Sequence, residues 1–107
     1  MIRISVVRKK NGSPVSLVCK GHADYSEEGS DIYCSAVSAL VINAVNSIEK
    51  FTDDAFDEED SEGYLKVEFT EDVSDETRLL FESLLLGLNQ IEMTCNGKYL
   101  SLTIREV

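Results

Sequence analysis

From Ile32 onward, apolar side chains fall at positions 32, 33, 36, 37, 40, 41, 44, 45 and 48, and Phe51 closes the series. That spacing has the period of an amphipathic helix, which must lay one face against something apolar. Ser30 or Asp31 is placed to cap it. A second series of the same period, Leu79, Leu80, Leu84, Leu85, Leu88 and Ile91, follows Ser74 as a cap, with Asp75 and Glu76 in the first turn. Acids there complement the helix dipole.

The rest of the chain alternates instead. Ile2, Ile4 and Val6 are spaced by two, as are Val15, Leu17 and Cys19, then Leu65, Val67 and Phe69, then Leu100, Leu102 and Ile104. Period two is the mark of a half-buried strand. Asn11-Gly12, Ser61-Glu62-Gly63 and Asn96-Gly97 supply turns between these segments. Asp53 to Glu62 holds seven acids in ten residues around Ala55 and Phe56, and reads as a short edge strand. Strand edges carry charge to avoid pairing with other chains, so a solvated edge is the first reading of this run and docking of a basic substrate the second.

The predicted order is β-β-α-β-β-α-β: an α+β domain of mostly antiparallel strands packed with two helices. The helices fit either one face of a sheet or a sandwich. Residues 1–107 make one domain by size, and 43% hydrophobic residues supply its core. Two β-β-α halves are visible, without the similarity of a repeat.

Charge and composition then exclude several roles. A formal charge of −10 repels phosphates and argues against direct nucleic-acid binding. It is compatible with a basic protein partner, although acidity for solubility alone ranks first. No apolar run of membrane-spanning length is expected, and Met1 to Val7 reads as a strand and not as a signal peptide. Three cysteines without regular spacing indicate a reducing, cytoplasmic setting and no disulfide scaffold.

The chemistry concentrates in His22 and Cys34. His22, the single histidine, ends the second strand in Gly21-His22-Ala23. Cys34 falls in the first turn of the long helix. Between them Ala23 to Ser30 has no apolar period and reads as a loop of about eight residues, a length that often marks a functional segment. A thiol at a helix N-terminus with an imidazole in reach is the arrangement that makes cysteine a nucleophile near neutral pH. Each residue alone has a plainer reading. A cysteine on an apolar helix is more often a small hydrophobe, and a histidine at a strand end is more often a hydrogen-bonded surface group.

Other residues are secondary. Cys19 shares a face with Val15 and Leu17 and is expected in the core; Cys95 is expected to be structural. Asp31 either caps the helix, orients His22 or reads a substrate amide. Ser38, one turn after Cys34, either contacts the thiolate or satisfies a helix carbonyl. His22, Asp24 and Cys34 lack the spacing of a zinc site, so neither metal nor cofactor is expected.

Together these residues carry a resemblance. Gly21-His22-Ala23, a short loop with Gly29, then Asp31-Ile32-x-Cys34-x-Ala36-Val37-Ser38 and Asn43-x-x-Asn46-Ser47-Ile48-Glu49 resembles the ribosomal-processing cysteine proteases, the Prp family. Tyr33 and Ser35 stand where many relatives carry smaller or apolar residues. The resemblance implies an endopeptidase that removes the N-terminal extension of a large-subunit ribosomal protein, cutting after a segment rich in apolar and aromatic residues. It implies Cys34 as nucleophile and His22 as base in a dyad, with Gly21, Gly29, Asp31 and Ser38 in support. It further implies a homodimer with a mobile loop over Ala23–Tyr33. Two other classes remain open on the residues alone. One is a non-catalytic acidic adaptor that holds a basic ribosomal protein during assembly. The other is a thiol redox switch, for which no resolving cysteine is evident in the sequence.

Overall fold

The computed structural model describes residues 1–21 and 30–107, and side chains throughout them except at 30 and 31. His22, Gly29 and most of the predicted loop lie outside the described residues. The elements follow the predicted order: β1 (Ile2–Arg8), β2 (Pro14–Lys20), α1 (Ser30–Phe51), β3 (Phe56–Ser61), β4 (Tyr64–Phe69), α2 (Asp75–Thr94) and β5 (Leu100–Glu106).

The strands form one sheet in the order β3-β4-β2-β1-β5. Three neighbouring pairs are antiparallel, while β5 runs parallel to β1 with Ile2 opposite Leu100 and Ile4 opposite Leu102. The sheet is therefore mixed, because α2 carries the chain back across before β5 begins. In the β1–β2 turn the Asn11 side chain accepts from the Ser13 N–H at 2.9 Å. Gly12 has φ +90°, as its place in the turn requires.

Register decides which side chains share a face. Ile4 stands opposite Cys19, Cys19 opposite Leu65, and Val6 opposite Leu17, which stands opposite Val67. Ile2, Ile4, Val6, Leu17, Val67, Phe69 and Leu100 are buried in one cluster with Val37, Val41, Val45 and Ile48 of α1 and Phe81, Leu84, Leu85 and Leu88 of α2. Arg3 and Ser5, on the opposite face of β1, are exposed. The helices thus cover one face of the sheet, which settles the choice left open between one face and a sandwich. Each fully buried Leu or Ile contributes ~1.5–3 kcal/mol. Truncating Leu88 to Ala, at a site with no exposure, would cost ~2–5 kcal/mol.

Two polar devices close the layers. The Asp54 carboxylate, just after α1, accepts the Ser74 backbone N–H at 2.9 Å and the Ser74 hydroxyl at 2.6 Å, and also the Thr77 hydroxyl. Ser74 in turn caps α2 by accepting the Thr77 N–H at 3.2 Å. At the other end, Glu92 accepts the Leu102 N–H at 2.7 Å, which satisfies a backbone donor of edge strand β5.

One expectation is corrected. Ile32–Phe51 is long and apolar enough to cross a membrane by length and composition, although no run of that kind was expected. Its apolar excess has a local cause: Val37, Val41, Ala44, Val45 and Ile48 form the wall of the core cluster.

Candidate active site

The helix that carries Cys34 begins at Ser30, so Cys34 is its fifth residue and opens the second turn. That is one step further in than the first turn expected from the sequence. Helical Cα–Cβ bonds tilt toward the N-terminus, so the side chain at 34 leans back over residues 30–32. The N–H groups of those residues have no partner within the helix. The ring of Tyr33 stacks on that of Tyr99, with centroids 5.1 Å apart and planes 24° apart. This contact ties the start of α1 to the approach of β5.

Gly21 closes the other side. Its φ is +86°, and a Cβ at this position would stand 2.6 Å from the Met1 carbonyl oxygen. No side chain fits without moving the backbone at Met1. The Gly21 N–H donates to the Gly63 carbonyl at 2.8 Å, so the end of β2 is pinned to the β3–β4 turn. The chain leaves toward His22 from this fixed point.

Between Cys34 and that turn lies a cavity of about 180 Å³. Its wall on α1 is Cys34, Val37, Ser38, Val41 and Ile42, and its floor is Cys19 and Leu65. Gly21, Asp60, Ser61, Gly63 and Tyr64 form the rim at the sheet edge. The volume is below the roughly 300–1,000 Å³ of sites that enclose a small ligand. It suits side chains of a bound peptide. Three of the predicted residues meet here: Cys34, Ser38 and Gly21. Asp31 lies on the same helix, with its side chain outside the description.

Sequence reasoning did not find Ile42, Asp60, Tyr64 and Leu65, because strand register and not spacing brings β3 and β4 to the thiol. Cys19, expected in the core, packs against the core cluster and also reaches the cavity floor. Burial pushes its thiol up to about 11, so it stays protonated near neutral pH. Cys95 is buried, as expected of a structural residue, and its thiol donates to the Glu92 carbonyl at 3.6 Å. Among the described residues no group of His, Cys, Asp and Glu could hold a metal ion.

The comparisons agree with this geometry. The sequence model of the family Cysteine protease Prp matches residues 1–100. The Ribosomal processing cysteine protease Prp of Staphylococcus aureus is 30% identical over 98 residues, covering 90% of this chain and 92% of that protein. Crystal structures of the S. aureus protease superpose over 98% of this chain and all of theirs. One, with a covalently linked product peptide, gives a TM-score of 0.87 at 27% identity. Another, with a substrate peptide, gives 0.89 at 26%. A thiol near a helix start in the wall of a cavity, on this fold and with this match, places the chain in the Prp family of cysteine proteases.

Proposed function

We propose that this protease removes the N-terminal extension of a large-subunit ribosomal protein, with Cys34 as nucleophile and His22 as base. The observation that carries the reading is the position of Cys34 at the start of α1, in the wall of the cavity. His22 takes the thiol proton, and Sγ attacks the scissile carbonyl carbon, forming the C–S bond of a tetrahedral intermediate. The N–H groups at 30–32, which have no partner within the helix, receive the developing oxyanion. Collapse of the intermediate breaks the C–N bond, and the imidazolium returns its proton to the leaving amine. Water then attacks the thioester, again with His22 as base, and frees the thiol. Gly21 and Ser38 line the cavity beside the nucleophile, and Asp31 and Gly29 are assigned supporting roles in the same reading.

Relatives that are ribosomal-processing cysteine proteases support a ribosomal-protein substrate, and the apolar wall of Val37, Val41, Ile42 and Leu65 suits a segment of apolar and aromatic residues. The reading includes a cytoplasmic location, where ribosomal proteins precede assembly, and a homodimer. Leu79, Leu86 and Met93, each more than 60% exposed on α2, recur every seven residues and offer a surface for the second copy. The test is cleavage of an extended ribosomal-protein N-terminal peptide by wild type, Cys34→Ala and His22→Ala, read by mass spectrometry. A single cut lost in both variants supports the protease. Peptide bound but uncut by wild type moves the assignment to the acidic adaptor.

A further inference from the structure

Asp60 stands apart from the other acids of β3. It pairs with Leu65, which pairs with Cys19, which pairs with Ile4. Opposed residues share a face, so Asp60 is the outermost member, exposed at the sheet edge, of a row on the helix-covered face whose other members are apolar. Asp57 and Glu59 alternate to the opposite face, where Glu59 stands opposite Lys66. At the same position in the next inward row, Glu58 stands opposite Val67 and does not line the cavity. Asp60 does, and it is the one charged residue among the described residues that line it. It forms no ion pair among the described residues. A carboxylate at the mouth of a cavity with Val37, Val41, Ile42 and Leu65 in its walls disfavours an acidic group there and attracts a cation.

From this geometry we infer that Asp60 is a specificity-determining residue of the protease. It binds the ammonium or guanidinium of one Lys or Arg in the substrate, while the apolar walls hold neighbouring side chains. The preferred peptide is an extended segment that combines apolar residues with one basic residue at a fixed distance from the cut bond. The inference rests on the cavity being the peptide site and deepens the proposed function by naming a charge requirement. It differs from a general attraction between an acidic protein and a basic one, because it assigns the preference to one position and one carboxylate.

The test uses sets of synthetic decapeptides in which one position at a time is Lys, Gln or Glu and the others are mixed. Cleavage is measured for wild type, Asp60→Asn and Asp60→Lys, and binding of the same sets is measured on Cys34→Ala with and without each change at 60. Wild type is expected to favour Lys over Glu at one position by about tenfold in kcat/KM, as for a partly screened ion pair. Asp60→Asn should bring that ratio to within about threefold and Asp60→Lys should invert it, with other positions unaffected. The preference should shrink as salt is raised. An unchanged Lys preference at every position in both variants overturns the inference. Failure of wild type to cut any set overturns the proposed chemistry alone, because the binding arm still reads the charge preference. Equal binding of Lys and Glu sets in that arm overturns the role of Asp60.

Discussion

The Gly21 N–H donates to the Gly63 carbonyl across 2.8 Å, joining the strand that delivers His22 to the turn beside Asp60. Gly21 holds this bond in a left-handed conformation and in contact with the Met1 backbone. Gly21→Ala adds both a positive-φ penalty and a backbone clash, ~1–3 kcal/mol together. We expect a lower melting temperature and a fall in kcat/KM of about a hundredfold, since a displacement of ~1 Å suffices for that. Activity assays below the melting transition separate the two effects. An Ala variant with wild-type kcat/KM would show that this bond does not position the site.

The hydrogen bonds on Asp54 predict an acid dependence of stability. Burial, the largest single influence, pushes its pKa up, but the bonds from Ser74, Thr77 and Thr52 together outweigh it and hold it below the ordinary carboxylate value. A carboxylate with a depressed folded pKa contributes stability that is present above its unfolded value, ~3.9, and is lost as pH falls through the folded value. Melting temperature should therefore decline below about pH 4 in wild type. Asp54→Asn should cost ~1–2 kcal/mol at pH 7 and flatten that decline. Thermal melts of both proteins from neutral to acid pH check the sign; parallel curves would refute it.

How far the sequence foretold this site depends on which contacts were local. The α1 period was legible because each contact along a helix lies three or four residues away, and Cys34 came with it. The hairpins β1–β2 and β3–β4 were legible from Asn11-Gly12 and Glu62-Gly63. The parallel pairing of β5 with β1 was not, since chain order does not say which strand a returning segment will join. Asp60 was hidden in the acidic run because the alternation of β3 shows a face only once Leu65 is known to oppose it. Ile42 lies off the buried series of Val41, Ala44, Val45 and Ile48 and reads as a solvated position, yet it walls the cavity. For His22 the sequence supplies the residue, and Gly21 is the last described point before it.

Thiol chemistry should separate the three cysteines. Cys34 is half-buried at the cavity wall, Cys95 is buried, and burial pushes Cys19 up to about 11. The thiolate is the reactive form, so Cys19 should be inert near neutral pH. Brief treatment of the folded protein with iodoacetamide should give a single adduct, mapped to Cys34, and none in Cys34→Ala. Prior occupation of the cavity by a peptide should slow it. Labelling first at Cys19 or Cys95 would contradict the assignment.

Ile42 gives a test of the cavity that leaves the chemistry untouched. It is 55% exposed, so its truncation to Ala removes little from the core and should shift the melting temperature by less than about 2 °C. In the complex its side chain loses contact with water, and the carbons removed are worth ~1 kcal/mol of peptide binding. The expected outcome is a KM raised about fivefold with kcat held, the signature of uniform binding lost from ground and transition states alike. Phe51→Ala is the matched control. Phe51 is an exposed apolar residue at the far end of the same helix, 71% accessible, and its loss should leave KM unchanged. Equal effects from both substitutions would place the peptide somewhere other than the groove between α1 and the β3–β4 turn.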